Sequence, residues 1–285
     1  MRALYDLPAP AKLNLFLHVT GRRADGYHLL QSAFMLIDWC DTLHVERRAD
    51  GAVSREDLGP ALPADDLIVR AARALQQASG CGAGAHIAVH KRIPAQAGLG
   101  GGSSDAATTL LALNRLWGLN LSRAQLARIG LALGADVPFF LHGAHGWVEG
   151  IGERIQTLHL PPARFLVVKP PQGVETARIF QAPELKRDSK SATISGFAAD
   201  PYGFGHNDLQ PVAERLCPQV AQGLALLSRR GLLGRMTGSG NAVFAPVAEG
   251  TPGHEADVQV PAGWQARWCS NLEAHPLGGW APGED

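Results

Sequence analysis

The stretch Pro94-Ala-Gln-Ala-Gly98-Leu-Gly100-Gly-Gly-Ser103-Ser104 decides the fold of this chain, because of what stands on either side of it. Residues 84–92 alternate between apolar and polar side chains, which predicts a strand. Residues 104–117 are rich in alanine and leucine and end before Gly118, which predicts a helix. A glycine-rich turn between a strand and a helix brings backbone N–H groups to the positive end of the helix dipole. The sequence therefore predicts a cradle for a phosphate group.

The glycine run matches neither of the two common phosphate-binding signatures. It lacks the lysine that ends a G-x-x-x-x-G-K-[ST] loop, and it lacks a clean G-x-G-x-x-G with a ribose-binding acid. A flexible glycine linker is the simple alternative. A linker would not be anchored between a strand and a helix, nor followed by two serines able to cap that helix. Phosphate binding is therefore the preferred interpretation.

Length and charge narrow the class of protein. With 285 residues the chain exceeds one average domain, which indicates two lobes or one large α/β body. Its 26 basic and 26 acidic residues cancel, so the overall charge recruits neither nucleic acid nor an anionic membrane. The predicted partners are small molecules. Whether the protein is a monomer or a weak homodimer is left open.

Cysteine usage and the apolar runs predict a cytoplasmic protein. No cysteine belongs to a C-x-x-C pair, which argues against a zinc site, a redox dithiol or a disulfide framework. Residues 1–12 carry an acid and two prolines where an export signal has its apolar core. The longest apolar stretch, residues 126–141, contains two charges and is shorter than the roughly 20 residues of a membrane span. The sequence therefore predicts no membrane contact.

Alternation in residues 11–19 predicts a half-buried strand with two different faces. Three leucines and a valine, at positions 13, 15, 17 and 19, form one face. Lys12, Asn14, Phe16 and His18 form the other. A lysine and an amide side by side on one face make that face a candidate binding surface.

Two helix signals are clear elsewhere in the chain. Asp66 stands at the N-cap position of a helix that ends before Gly80. Residues 208–230 predict two helices separated by Pro218. The chain changes character near residue 150, which predicts an N-terminal lobe at 1–151 and a C-terminal lobe at 152–285. The tail after residue 250 has no assignable pattern.

Three separated motifs resemble, in order, those of the galactokinase, homoserine kinase, mevalonate kinase and phosphomevalonate kinase superfamily. They are Pro10-Ala-Lys-Leu-Asn-Leu15, the glycine run, and Arg235-Met-Thr-Gly-Ser-Gly-Asn-Ala-Val-Phe244. The resemblance implies an α+β fold of two lobes, in which ATP and an alcohol substrate meet in the interlobe cleft. Within the superfamily, the chain is most similar to kinases of non-mevalonate isoprenoid synthesis that act on a cytidylylated alcohol. That likeness rests on residues 11–17, 21–28, 66–72, 133–138 and 179–185.

The resemblance places the catalytic pair at Asp136 and Lys12. Phosphoryl transfer to a hydroxyl needs an orienting or basic carboxylate, and positive charge near the moving group. From the residues alone, Asp136 is equally an N-cap two positions before Pro138. A lone strand lysine such as Lys12 is usually just solvated. With the resemblance, Asp136 is predicted as the base and Lys12 as its ion-pair partner.

The resemblance also implies the substrate contacts. Tyr27 is expected to stack on a cytosine ring, His28 to hydrogen-bond the edge of that ring, and Phe180 to form the opposite wall. An aromatic residue in a short helix is otherwise more often core. Asn14, on the same strand face as the catalytic lysine, is expected to bind substrate or phosphate. Thr176 is expected to contact the diphosphate of the substrate.

ATP is the expected co-substrate. The resemblance places the phosphates along the glycine run and the adenine at three outlying positions. The residues concerned are Pro94, Ala95, Gln96, Ala97, Gly98, Leu99, Gly100, Gly101, Gly102, Ser103 and Ser104 for the phosphates, and Asp66, Ile68 and Lys91 for the adenine. The family commonly has an amide where Asp66 stands, and a carboxylate cannot donate a hydrogen bond to adenine. The segment 95–97 is less rich in glycine than in the family, which is expected to stiffen the loop.

Mg²⁺ is expected together with ATP. No carboxylate matches the magnesium-binding glutamate of the mevalonate kinases, which leaves the hydroxyl of Ser103 or Ser104 as a candidate ligand. A separate metal site is not predicted. Of the eleven histidines, His86 and His90 lie on one strand face, and no H-E-x-x-H motif occurs.

Two other functions stay open. A homoserine or mevalonate kinase would share the fold, but the predicted aromatic and histidine contacts favour a substrate that bears cytidine. A nucleotide-binding module without catalysis is the second alternative, because a fold does not fix a function. Lys12 and Asp136 argue against that alternative.

Overall fold

The first of two β-sheets is built on a long antiparallel hairpin. The protein is described by a computed structural model that covers residues 1–248 and 258–283. The strands of this sheet are β1 (Ala3–Arg22), β2 (His28–Arg48), β3 (Val53–Asp57), β4 (Gly84–His90), β5 (Gly146–Gly150) and β6 (Arg154–Thr157). Their order is β3-β4-β2-β5-β6, and β1 pairs antiparallel with β2. This sheet therefore continues to Thr157, past the residue at which the sequence predicts a change of lobe.

The second sheet is antiparallel throughout. It consists of β7 (Arg164–Lys169), β8 (Arg235–Met236), β9 (Val243–Val247) and β10 (Gln265–Ser270), in the order β10-β7-β9-β8. The strand β10 falls in the tail that carries no pattern in the sequence. Part of that tail, residues 249–257 and 284–285, lies outside the described residues.

Helices cover both sheets. They are α1 (Leu67–Ser79), α2 (Gly101–Trp117), α3 (Arg123–Leu131), α4 (Val137–His142), α5 (Thr176–Gln181), α6 (Ile194–Ala198), α7 (Gln210–Leu216) and α8 (Pro218–Ser228), with a 3₁₀ turn at Gly278–Trp280. In the described part of the chain, no helix is both long and apolar enough to cross a bilayer.

The predicted helix boundaries near Asp66 and Pro218 are confirmed. The Asp66 carboxylate accepts a hydrogen bond from the Val69 N–H at 3.1 Å, and Gly80 ends α1 in the left-handed conformation with φ of 65°. Pro218 opens α8, where its missing N–H costs no hydrogen bond. The glycine run differs from its prediction, because α2 begins at Gly101 rather than at residue 104.

Three apolar clusters hold the layers together. The first packs α1 to α4 on the first sheet, and includes Leu43, Leu110 and Phe139. The second joins the two sheets, with Phe16 from β1 and Phe165 from β7 among its members. The third lies between the second sheet and α5, α7 and α8. Because the second cluster contains residues of both sheets, it fixes one sheet against the other.

The alternation predicted for β1 is wrong beyond residue 15. The pairing of β1 with β2 shifts register between Asn14 and Leu17, which is a β-bulge. Leu15 and Phe16 both enter the core between the sheets, whereas Leu17 lines the same cleft as Lys12. A bulge adds one residue to a strand, so every side chain after it changes face.

Candidate active site

A cleft of about 1100 Å³ and a smaller cavity of about 480 Å³ meet at one residue. The cleft lies between the first sheet and α5, and it is bordered by all seven residues predicted for catalysis and substrate binding: Lys12, Asn14, Tyr27, His28, Asp136, Thr176 and Phe180. The smaller cavity is bordered by Asp66, Ile68, Lys91 and the glycine run from Pro94 to Ser103. Ser103 borders both spaces. A ligand group bound at Ser103 can therefore contact ligands in both the cleft and the smaller cavity.

The glycine run presents free N–H groups through the first turn of α2. Gly100 is the N-cap with φ of 71°, and the Ser104 N–H makes the first intrahelical bond, to the Gly100 carbonyl at 2.9 Å. The N–H groups of Gly101, Gly102 and Ser103 precede that bond and have no intrahelical acceptor. They form the positive end of the helix dipole, which suits an anion.

Ser104 departs from its predicted role as a phosphate contact. Its side chain has no exposed surface, and its backbone N–H is used within the helix. The cause is the early start of α2, which places residue 104 inside the first turn instead of ahead of it. The hydroxyl that faces the cleft is that of Ser103.

The glycine run packs backbone to backbone against the turn 237–240. A Cβ added to Gly98, whose φ is 77°, would lie 2.2 Å from the Thr237 carbonyl oxygen. A Cβ added to Gly240 would lie 2.1 Å from the Ala97 carbonyl carbon. The Ala242 N–H donates to the Ala97 carbonyl at 3.2 Å. The third sequence motif, residues 235–244, thus supplies the surface against which the glycine run packs; the glycine run is also called the phosphate loop below.

Lys12 and Asp136 contact one another in the cleft. The Lys12 Nζ lies 3.5 Å from the Asp136 Oδ2, and also bonds the Asn14 Oδ1. The Lys12 backbone N–H donates to the Leu99 carbonyl at 2.9 Å, so the glycine run itself fixes the position of this lysine. Asp136 occupies the N-cap position of α4 but makes no side-chain capping bond. Its carboxylate is one-third exposed and is available to a substrate.

Asn14 orients the side chain of Lys12. It is almost fully buried, its Nδ2 donates to the Ser32 hydroxyl at 3.0 Å, and its backbone N–H donates to the Thr237 hydroxyl at 2.9 Å. Because its Oδ1 accepts from Lys12, one amide N–H is left to contact a substrate. Asn14 thereby links β1 to the turn that supports the phosphate loop.

Lys91 borders the smaller cavity, but its ammonium group is bound to two aspartate side chains. It bonds Asp41, which has no exposed surface, and lies 2.5 Å from the Asp105 Oδ2. The Asp41 Oδ1 also accepts from the backbone N–H groups of Arg92 and Ile93, at 2.5 and 2.8 Å. This cluster ties the end of β4 to β2 and α2. It therefore fixes both ends of the glycine run.

Protonation of this cluster is expected to make stability depend on pH. Burial, opposed by the Lys91 ammonium and reinforced by the Asp41 carboxylate, raises the pKa of Asp105 to about 8. A carboxyl whose pKa is raised in the folded state stabilises the fold below its ordinary pKa, and this contribution is lost as the pH rises toward 8. Replacing Asp105 with Asn removes the titration. Wild type should therefore lose on the order of 4 kcal/mol relative to Asp105→Asn between pH 5 and 8.5.

Urea unfolding of both proteins at pH 5, 7 and 8.5 measures this difference. Lys91 does not contribute a slope in that range. Burial lowers its pKa, but the neighbouring Asp105 and Asp41 side chains outweigh burial and raise the pKa above its ordinary value of 10.5. Free energies of unfolding that run parallel across the three pH values would show that Asp105 does not titrate there.

Asp66 is held by an arginine that the sequence does not single out. The Arg55 Nη1 lies 2.9 Å from the Asp66 Oδ1, and both side chains are largely buried. Arg55 also bonds Asp57 at 2.7 Å and the Pro63 carbonyl at 2.8 Å. The carboxylate that replaces the amide common in the family is therefore neutralised locally, and it caps α1 as well.

Of the two predicted aromatic walls, Phe180 lies against His28. The ring of Phe180 lies 4.9 Å from that of His28, between centroids, with 33° between the planes. Tyr27 is 61% exposed, at the mouth of the cleft. Thr176, the first residue of α5, shares a 2.6 Å hydrogen bond with the Ser239 hydroxyl. The cleft also contains Arg187, which the sequence analysis missed because only the folded chain brings it to His28.

Family models match most of the elements that build these two cavities. Residues 66–144 match the N-terminal domain of the GHMP kinases, and residues 193–264 match the GHMP kinase C-terminal domain. The chain belongs to the GHMP kinase family. The α+β fold predicted from three motifs is confirmed.

Relatives of high sequence identity narrow this assignment. The chain is 64% identical to a 4-diphosphocytidyl-2-C-methyl-D-erythritol kinase of Paracidovorax citrulli, with 100% of both chains covered. It is 66% identical to the kinase of the same name from Delftia acidovorans, with 100% of this chain and 99% of the relative covered. Within the GHMP kinases, the chain groups with these enzymes.

Solved structures agree with this placement. A crystal structure of 4-(cytidine 5'-diphospho)-2C-methyl-D-erythritol kinase superposes with a TM-score of 0.79 and 35% identity, covering 93% of this chain and 98% of the other. Homoserine kinase from Cytophaga hutchinsonii superposes with a TM-score of 0.69 and 14% identity, covering 96% of each chain. The second likeness concerns the fold alone.

Proposed function

We propose that this protein transfers the γ-phosphoryl group of ATP to the 2-hydroxyl of 4-diphosphocytidyl-2-C-methyl-D-erythritol, in non-mevalonate isoprenoid precursor biosynthesis. The observation that carries the proposal is the Lys12–Asp136 pair, which lies in a cleft that meets the phosphate loop at Ser103. The names of relatives with 64 to 66% identity over the whole chain support the same substrate.

In the proposed reaction, the substrate hydroxyl attacks the γ-phosphorus of ATP and gives its proton to Asp136, while the bond to the bridging oxygen of ADP breaks. Lys12 places positive charge beside the acceptor oxygen. The N–H groups of Gly101, Gly102 and Ser103 stabilise the charge on the phosphate oxygens. Most of the catalytic effect in such transfers comes from positioning and electrostatics, which suits a site built on rigid elements.

The smaller cavity is proposed to hold ATP. Its phosphates would lie along the run from Pro94 to Ser103, and its adenine against Ile68, Asp66 and Lys91. For Lys91 to reach the adenine, it would have to exchange one of its aspartate partners for the base. The lobes of residues 1–151 and 152–285 are proposed to contribute mainly nucleotide contacts and substrate contacts, respectively.

Mg²⁺ is proposed to accompany the ATP phosphates, where it would offset their negative charge. Among residues 1–248 and 258–283, no group of three or more His, Cys, Asp or Glu side chains is arranged to hold a metal ion. A hydroxyl together with phosphate oxygens and water is a donor set that Mg²⁺ accepts. Of the two serines considered, Ser103 faces the cleft and fits this role, while the buried Ser104 does not.

A cytoplasmic location is proposed as well. Its support is the state of the four cysteines, Cys40, Cys81, Cys217 and Cys269, which are all free thiols. Free thiols are typical of a reducing compartment.

An assay with three alcohols tests the proposed substrate. Purified protein is given ATP with the cytidylylated methylerythritol, with homoserine or with mevalonate, and ADP release is followed. We expect ADP only with the first, because only that substrate presents a base to the aromatic and histidine side chains at the cleft mouth. ADP formed with homoserine or mevalonate, and not with the cytidylylated alcohol, would overturn the substrate assignment.

A further inference from the structure

All three nitrogens of the Arg187 guanidinium group donate hydrogen bonds. Arg187 follows α5 and borders the cleft. Its Nε donates to the His28 Nε2 at 3.1 Å. Its two terminal nitrogens donate to backbone carbonyls of the segment that carries the aromatic wall, at Phe180 (3.0 Å), Ala182 (2.8 Å) and Leu185 (2.9 Å). One side chain therefore joins His28 to the backbone of Phe180.

These bonds fix the proton position on His28. A guanidinium group is always protonated and only donates hydrogen bonds, so the His28 Nε2 must carry a lone pair. Burial and the neighbouring Arg187 and Arg22 guanidinium groups lower the pKa of His28, which keeps the ring neutral at pH 7. The single ring proton therefore lies on Nδ1. Among the residues that the structure describes, no hydrogen bond is made to that nitrogen, and the ring is only half-buried.

We infer that Arg187 is a positioning residue that holds His28 as the Nδ1–H tautomer beside Phe180, and that this fixed donor selects cytosine over uracil. The inference rests on the proposed function and deepens it. Cytosine presents two acceptors, N3 and O2, along the edge that pairs with a donor. Uracil carries a proton on N3, so a fixed donor opposite that atom meets another donor.

The expected size of the effect follows from the chemistry of an unpaired donor. A site built to hydrogen-bond one ligand rejects an analogue that leaves its polar groups unpaired. Without Arg187, His28 can move its proton to Nε2 and rotate, so that the penalty against uracil falls. We expect the preference for cytosine to drop roughly 10- to 100-fold in Arg187→Gln.

The first experiment reads the tautomer directly. In ¹H–¹⁵N spectra of the full chain, wild-type His28 should show a protonated Nδ1 and an unprotonated Nε2, and Arg187→Gln should show exchange between both forms. This measurement does not depend on catalysis. A wild-type His28 that is protonated on Nε2, or on both nitrogens at pH 7, would overturn the inference.

The second experiment measures base selection by binding. Dissociation constants of CDP and UDP are compared by calorimetry, with the ATP analogue AMP-PNP present in excess to fill the smaller cavity. The ratio of the two constants should fall at least tenfold in Arg187→Gln. Arg215→Gln is the matched control, because Arg215 bonds Glu184 of the same segment at 2.5 Å and does not border the cleft. It should keep the wild-type ratio.

A purely structural role for Arg187 predicts a different pattern. It would weaken both nucleotides equally and leave their ratio unchanged, and that result would contradict the inference. If Arg187→Gln fails to fold, the wild-type spectrum still decides whether His28 is the Nδ1–H tautomer. If wild type binds CDP but phosphorylates no cytidylylated alcohol, the proposed function fails while base selection stands.

Discussion

Asp136→Asn is expected to reduce the turnover number by 10²- to 10⁴-fold or more, while ATP still binds. The amide keeps the shape of the carboxylate but cannot accept the proton of the substrate hydroxyl. It also removes the negative charge 3.5 Å from the Lys12 ammonium, which leaves that cation without a charged partner. Nucleotide binding should change little, because Asp136 borders the substrate cleft and not the smaller cavity.

Steady-state rates of ADP formation measure the first effect, and titration with a fluorescent ATP analogue measures the second. Asp50→Asn serves as the control. Its carboxylate is exposed, is bonded to Arg48 at 3.0 Å, and borders neither cavity. It should turn over like wild type. Near-normal turnover in Asp136→Asn would remove this residue as the base.

Among glycine-to-alanine substitutions in the phosphate loop, Gly98→Ala is expected to be the most damaging. At φ of 77° an alanine is strained by roughly 1–2 kcal/mol. In addition, its Cβ would lie 2.2 Å from the Thr237 carbonyl oxygen, which is backbone and cannot turn aside. The loop must then separate from the turn 237–240. We expect the KM for ATP to rise at least tenfold, together with a loss of thermal stability.

Gly118→Ala separates strain from collision. Gly118 ends α2 at φ of 69°, nearly the same backbone conformation, but no atom lies within 4 Å of an added Cβ. This variant should lose about 1–2 kcal/mol of stability and keep its KM for ATP. Melting curves and ATP titrations of both variants make the comparison. Equal effects on KM would mean that contact with residues 237–240 does not position the loop.

The parts of this protein that sequence could predict are those set by local chemistry. The cap at Asp66, the break at Pro218 and the strand–glycine–helix order of the phosphate loop each depend on a few neighbouring residues. Predicting the catalytic pair required more than local patterns, because nothing in the sequence links a lysine at position 12 to an aspartate at position 136. Their resemblance to motifs of known kinases supplied what spacing alone did not.

What sequence could not predict depends on contacts between distant segments. The β-bulge after Asn14 reverses the faces of β1, and nothing in the alternating pattern marks it. The start of α2 at Gly101 runs against the low helix propensity of glycine, and packing overrides that preference. The arginine partners of Asp66 and His28 lie 11 and 159 positions away in the chain, so only the fold reveals them.

The contact between Gly98 and the turn 237–240 has a thermodynamic corollary. Strand β1, the phosphate loop and the turn before β9 are bonded to one another, through Lys12 to Leu99 and Ala242 to Ala97. If nucleotide binds better when this junction is formed, the junction must be more stable when nucleotide is bound, and by the same free energy. A ligand bound to one lobe would thus slow hydrogen exchange in the other lobe. The coupling free energy is the same in both directions at equilibrium, and no conformational movement is needed to produce it.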